Sequence, residues 1–446
     1  MISPSNDTNM ILFGAGSSVP FGIPGMSGFT KQFLASYESS SGSGITEFLN
    51  AIQGAIGLSE QMVGISFSFD LESLLSVLND LSEAMSEKPI SIPTASLLLK
   101  EKLNIKAARD KYRGQASIVL DSLRNFVFQK CMEPIKRGKQ KGNFKFLNRF
   151  YGPLMTVLNS TDIANIESPV RKIYSTNWDL CFKTWADYIN TPVNDGTDID
   201  QQSLPVFNVT KFDRTSSGFN YTPLHGSLDL VKTSRPKGAG SYEDILKISD
   251  PVRYFEDKPA NIKDVFMIYP LEAIGYEESV KSPYLDMLNN FRTALRLEST
   301  VFIIGYSLRD PTIGSIFEEV IAERIRKGDL NPLSKKLNSR IEEVGNSQPR
   351  LKIIVLSPNP DRLAENLRKQ GHTNLLQTFV PIKIEFPKIT DEEFDEKFTG
   401  MLFQLIVDLR QIGHINVNQA GEIVRVLKRK YKIPISEQDF QWKKEK

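Results

Sequence analysis

The 446-residue sequence predicts an α/β fold built on a doubly wound, mostly parallel sheet. Three observations carry that prediction. Short apolar runs rich in Val, Ile, Phe and Tyr recur without polar alternation, as strands covered on both faces require. Segments with helical periodicity separate them, which is the rhythm of strand–helix–strand units. Glycines and reactive polar residues stand just past several of the runs, where open α/β sheets hold ligands.

Taken in order, residues 1–9 are polar and predicted to fray. The first strand is the apolar run 10–13, which enters a turn at Gly14-Ala15-Gly16. Further strands are predicted at 171–175, 206–212, 220–224, 264–269, 300–306, 351–356 and 379–386. Between the first two lies 39–167, which reads mainly as helix. There Leu71, Leu74, Leu75, Leu78 and Leu81 share one face, and Asp70 is placed to cap its start. The Ser/Gly-rich stretch 39–44 reads as a linker, and the basic stretch 130–145 as a solvated loop.

Asp310-Pro311 marks a helix start, with Asp as N-cap and Pro as first helical residue. Ile313, Ile316, Phe317, Val320 and Ile321 then form its buried stripe. Thr390 and Glu393 have capping-box spacing ahead of the apolar face Phe394, Phe398, Met401, Leu402, Leu405 and Leu409. A last helix is predicted at 417–431. The expected organisation is a Rossmann-like domain over 1–385, with a helical insertion at about 45–165, followed by a C-terminal helical segment over 386–446.

With 40% hydrophobic and 24% charged residues, the composition is that of an ordinary globular protein. A net charge of +2 gives no argument for nucleic acid or a membrane surface. No apolar stretch reaches the roughly 18 residues that span a bilayer, and the N-terminus lacks the pattern of an export signal. A cytoplasmic protein is expected. Only two cysteines are present, Cys131 and Cys181, with three histidines, His225, His372 and His414. A four-cysteine zinc site cannot be built from them, and no metal is expected.

Three segments hold the candidate chemistry. Gly14 and Gly16 fit the first two positions of the dinucleotide fingerprint, but the third is Val19; alone, the pattern describes a tight strand-to-helix turn equally well. Thr176-Asn177-Trp178-Asp179 follows a strand, and alone reads equally as a helix start capped by Asn or Asp. His225 precedes Gly226, which should leave its flank open to a ligand, and an imidazole exchanges protons near neutral pH. Two weaker candidates are Gly305-Tyr306-Ser307-Leu308 and Asn359. His372 and His414 lie in no motif and read as structural or surface residues. Asp310 is explained by capping and is assigned no part in chemistry.

Together the string Gly14-Ala15-Gly16-Ser17-Ser18 with Gly22-Ile23-Pro24, the Thr176–Asp179 segment and His225-Gly226 resemble the sirtuin family. They match its Gly-Ala-Gly-x-Ser…Gly-Ile-Pro, Thr-x-Asn-x-Asp and His-Gly segments, in the same order. The resemblance implies NAD as ligand. Backbone amides of Ala15 to Ser18 would face its diphosphate, and the part ending at Pro24 would close over the nicotinamide. Asn177 would orient the ribose or an attacking water, with Thr176 beside it and Asp179 in support. His225 would serve as base or hydroxyl anchor, Gly305 and Ser307 would meet the adenosine half, and Asn359 the adenine-ribose end.

Where deacylating sirtuins continue Gly-Ile-Pro with Asp-Phe-Arg, this chain has Gly25-Met26-Ser27. Without a zinc ribbon and with a long helical insertion, it looks like the sirtuin-like domains of bacterial antiphage defence that hydrolyse NAD. The resemblance therefore implies an NAD hydrolase releasing nicotinamide and ADP-ribose as an NAD-depleting effector. A protein deacylase, an ADP-ribosyltransferase and a non-catalytic NAD sensor remain open. No sensor domain is recognisable, so a homo-oligomer or a separate partner, such as an ATPase, is expected.

Overall fold

The computed structural model describes residues 9–38, 43–63, 69–82, 90, 92–159, 171–199, 205–208, 211–212, 218–237, 240–257, 262, 264–267, 282–327 and 351–435. Residues 1–8 of the predicted frayed end and 39–42 of the predicted linker lie outside these. In chain order the strands are β1 (Asn9–Phe13), β2 (Arg171–Ser175), β3 (Val193–Asn194), β4 (Thr197–Ile199), β5 (Pro205–Phe207), β6 (Phe219–Pro223), β7 (Gly226–Lys237), β8 (Gly240–Lys247), β9 (Val265–Met267), β10 (Thr300–Ile304), β11 (Lys352–Ser357) and β12 (Phe379–Lys383).

Seven strands form one sheet in the order β12-β11-β10-β1-β2-β6-β3, with every neighbouring pair parallel. The fold is α/β with a Rossmann-like, doubly wound sheet. Consecutive residues of β1 enter different cores. Ile11 and Phe13 join one cluster, with the helices Lys145–Leu158, Phe394–Gln411 and Val417–Tyr431. Met10 and Leu12 join the other, with Tyr284–Leu297 and Pro311–Arg326. Burial on both faces explains the unbroken apolar runs; each fully buried large apolar side chain contributes about 1.5–3 kcal/mol.

The chain leaves β1 toward β2 on one side and returns to β10 on the other. This reversal makes β1 the switch point, and the crevice rule then places a ligand beyond the carboxyl ends of β1, β2, β6 and β10. Between β1 and β2 stand the helices Met26–Glu38, Ser43–Val63, Leu71–Ser82, Ile92–Lys100, Ile105–Gln140 and Lys145–Leu158. Asp70 does cap Leu71–Ser82, accepting the Ser73 N–H at 3.2 Å.

Several expectations need correction. The basic stretch 130–145 is not a loop: the helix Ile105–Gln140 runs through most of it, and the next helix begins at Lys145. Val127, Phe128, Cys131, Met132 and Ile135 are buried along that helix, and their packing outweighs the charges on its other face. The capping box at Thr390 and Glu393 does not form; Glu393 precedes the helix without a side-chain cap. β10 stops at Ile304 and β12 at Lys383, both short of the predicted ends. The predicted strand 206–212 is strand only at Pro205–Phe207, with residues 209–210 outside the described set.

A second sheet was not foreseen. It is antiparallel, in the order β4-β5-β8-β7-β9. The alternation Ser227-Leu228-Asp229-Leu230 marks the start of β7, with Leu228 and Leu230 buried. This sheet is joined to the parallel one by a buried ionic cluster. Lys183 Nζ pairs with Asp195 at 2.6 Å and with Asp229, while Lys247 Nζ pairs with Asp195 at 2.6 Å. Burial alone would lower the Lys183 pKa, but the two carboxylates hold it above the usual lysine range.

Candidate active site

The glycine turn after β1 is formed by contact with the turn after β10. Gly14 N–H donates to Ile304 O at 2.9 Å, and Gly16 N–H to Gly305 O at 2.8 Å. A Cβ on Gly14 would stand 2.5 Å from Tyr306 Cα, and one on Gly16 would stand 2.8 Å from Gly305 Cα. Gly305 has φ +63, a conformation that suits glycine. The glycines thus let two backbone turns touch. The expected diphosphate cradle needs revision on this point. The Gly16 amide is occupied by Gly305 O, and the Ser17 amide donates to Gly14 O at 2.8 Å.

Asn177 is held by that turn. Its Nδ2 lies 3.0 Å from Gly14 O, 3.0 Å from Ser17 Oγ and 2.9 Å from Ser18 Oγ. Both serine hydroxyls direct their own hydrogens elsewhere, Ser17 to Gly14 O at 2.8 Å and Ser18 to Asp179 Oδ2 at 2.6 Å. The carbonyl of Gly14 settles the amide orientation, because only a donor fits against it. Among the described residues nothing donates to Asn177 Oδ1, which is buried. Such an acceptor is costly unless something donates to it.

Asp179 reaches Asn177 through Ser18 and also accepts the Cys181 N–H at 2.9 Å. Burial pushes its carboxyl pKa up, against the lowering effect of the Ser18 hydrogen bond. Thr176 is engaged with the neighbouring strand, its N–H donating to Phe13 O at 3.0 Å.

Ala15, Ser18, Pro24, Thr176, Asn177 and Asp179 line one small pocket of about 20 Å³, a space suited to a water-sized occupant. The helical insertion contributes Cys131 to its wall, and the helix Met26–Glu38 contributes Met26 and Phe29. None of these three belongs to the candidate site read from the sequence. Burial pushes the Cys131 thiol well up, which argues for packing rather than reactivity. Gly22 has φ +89, and neither it nor Gly25 has a neighbour in the space a Cβ would fill. Between them Ile23 and Pro24 are buried, so the open space lies at the two glycines that flank this pair.

His225 stands one strand further along, in the turn between β6 and β7. Leu224 N–H donates to Ser175 O at 2.8 Å and Leu228 N–H to Trp178 O at 3.0 Å, which ties this turn to the Asn177 segment. His225 itself is not on the pocket wall that Asn177 lines. Its Nε2 lies 2.8 Å from Asp310 Oδ2, and both side chains are only 3% exposed. The open flank expected from Gly226 is not present. Gly226 has φ +81, and a Cβ there would run into the backbone of Phe266 on β9.

The turn after β10 therefore serves twice, touching the glycine turn through Gly305 and His225 through Asp310. Asp310 caps the helix Pro311–Arg326 as expected, accepting from Thr312 N–H at 2.8 Å and Ile313 N–H at 3.2 Å. Its contact with His225 was not legible from local pattern, because the two residues are 85 positions apart. Arg309 next to it pairs with Asp70 and, at 3.7 Å, with Glu72, linking this turn to the helical insertion. Burial raises the Glu72 carboxyl pKa to about 7, despite the Arg309 charge.

The remaining candidates stand apart. Ser307 is exposed and accepts the Arg309 Nε hydrogen at 3.3 Å. Asn359 is exposed and caps the helix Pro360–Lys369, accepting the Arg362 N–H at 3.1 Å. His372 and His414 are structural: His372 packs on Gly314, and His414 meets the edge of Phe302 with centroids 5.3 Å apart. Burial lowers the His414 pKa to about 4. Comparisons with protein-family models and with curated proteins give no match.

Proposed function

We propose that the chain hydrolyses the nicotinamide–ribose bond of NAD. One observation carries the reading. Gly14, Asn177, His225 and Gly305 lie at the carboxyl ends of four neighbouring strands around the switch point, where a dinucleotide is held in such sheets. The unsatisfied Oδ1 of Asn177 supports it, because that atom calls for a donor such as a ribose hydroxyl or a water. Cleavage of the glycosidic bond leaves its electron pair on the ring nitrogen, so nicotinamide departs neutral and needs little acid help. Water adds its oxygen to the sugar carbon and releases one proton. The products are nicotinamide, ADP-ribose and that proton.

Asn177 positions the water or the ribose, and His225 takes up the proton. Such orientation of reactants contributes several kcal/mol. The 20 Å³ pocket is smaller than a nicotinamide ring, so binding requires the Gly22–Gly25 stretch to open. The two cysteines are buried on separate helices, Ile105–Gln140 and Cys181–Tyr188, and two cysteines do not make the four-cysteine ribbon of a deacylase. In this reading the protein depletes NAD in antiphage defence, under control of self-assembly or a separate partner.

The test is incubation of the purified protein with NAD, with nicotinamide and ADP-ribose followed by chromatography. Equimolar release without a peptide is expected. Release that needs an acylated or acceptor protein would replace the hydrolase with a deacylase or transferase. Tight binding without release in any assembly state would replace it with a sensor.

A further inference from the structure

We propose that Asp310 is a positioning residue that fixes the tautomer of His225, so that Nδ1 is the basic nitrogen. The proposal rests on the reading of His225 as the proton acceptor. Asp310 Oδ1 accepts two backbone N–H groups at the start of the helix Pro311–Arg326, at 2.8 and 3.2 Å. Those bonds orient the carboxyl group and present Oδ2 to His225 Nε2 at 2.8 Å. A carboxylate only accepts, so Nε2 carries the hydrogen, and in the neutral imidazole Nδ1 then holds the lone pair. The nearby Tyr306 hydroxyl is buried and makes no hydrogen bond among the described residues, so it does not compete for Oδ2.

The arrangement joins two roles in one side chain. The capping bonds are local and hold Asp310 rigid, while the long-range bond passes that rigidity to the imidazole. Tyr284, Tyr306 and Glu72 are titratable groups, among the described residues, whose electrostatics reach this carboxylate, and Arg309 beside it in sequence carries a positive charge.

The informative variant is Asp310→Asn in the full chain. Asparagine remains a good N-cap. With its oxygen on the helix amides, however, it turns an NH₂ toward Nε2 and drives the hydrogen to Nδ1. The direct readout is the ¹⁵N shift pair of the His225 imidazole, assigned by difference against His225→Gln. Protonation at Nε2 is expected in the wild type and at Nδ1 in Asp310→Asn. The rate of nicotinamide release should fall about a thousandfold with little change in KM, and the melting temperature should stay near that of the wild type. Asp310→Ser, which keeps a cap but offers His225 no carboxylate, should lose the tautomer preference.

A wild-type His225 protonated at Nδ1, or an Asp310→Asn protein with unchanged tautomer, overturns the proposal. Because the shifts are read without NAD, a protein that shows the expected tautomers but no NAD turnover sinks the hydrolase reading and leaves the positioning role intact.

Discussion

Asn177 and His225 follow adjacent strands of the parallel sheet, yet they are held in different ways. Asn177 sits in a net of neutral hydrogen bonds from the turn after β1, and the Asp179 carboxyl reaches it through the Ser18 hydroxyl. His225 is held by a buried carboxylate from the turn after β10, on a loop backed by the Lys183–Asp229–Asp195 cluster. Ser227 carries that support to the loop, its hydroxyl donating to Asp229 Oδ1 at 2.6 Å. The neutral side is built from contacts of a strand with its neighbour. The charged side needs two sheets and a helix terminus to meet. The difference separates a geometry that tolerates loss of one bond from one that fails when a partner is removed.

The largest effects are expected on activity. Asn177→Ala and His225→Ala should each lower NAD turnover by a factor of about 10²–10⁴. Asn177→Ala should melt close to the wild type, whereas His225→Ala strands the buried Asp310 carboxylate and should lower stability measurably, so turnover is compared at equal folded fraction. Full activity in both variants would remove these residues from the site.

Next comes the charged side. Lys183→Met leaves Asp229 without its cation and Asp195 with Lys247 alone, so unfolding free energy in denaturant titrations should drop by about 3–5 kcal/mol. A near-neutral result would show that the cluster is dispensable, and the contrast between the two sides would collapse.

The neutral side should respond more weakly. Ser18→Ala takes the donor from buried Asp179 and one acceptor from Asn177, at a cost of about 1–3 kcal/mol in stability. Its effect on turnover should follow Asn177 and leave the imidazole shifts of His225 unchanged.

The smallest effect concerns pH. Glu72 binds its proton up to about pH 7 in the folded chain, against a reference of 4.5. Between those values the folded state holds more protons than the unfolded one, so stability falls as pH rises through the window. Glu72→Gln removes that penalty. Its unfolding free energy in denaturant titrations should match the wild type near pH 4 and exceed it by pH 7.5, by about 1–2 kcal/mol after allowance for its partly exposed edge. An equal gap at every pH would assign the effect to packing instead of charge.

Local patterns were legible in the chain. The apolar run 10–13 before Gly14, the leucine stripe of Leu71–Ser82, the Asp310-Pro311 start and the helix Val417–Tyr431 all appear where the sequence puts them. In each case the signal and the structure involve the same few residues. The helix through 130–140 reads as a loop from sequence because its positive charges crowd toward 136–141, while its apolar stripe is spread over a longer stretch of the helix. The β7–β8 hairpin of the antiparallel sheet is local, whereas the pairings that complete the sheet join distant segments, such as Val206 with Leu246.

The sequence by itself determined the α/β class, the parallel sheet and the positions of Gly14, Asn177 and His225 after apolar runs, because burial and turn chemistry act on neighbouring residues. Only the tertiary structure decided what those residues touch. It set the Gly16 amide against Gly305, aimed the Asn177 amide at two serines, closed the Gly226 flank with β9 and placed Asp310 on His225. Each of these contacts joins segments brought together by strand order, and strand order depends on how the whole chain packs.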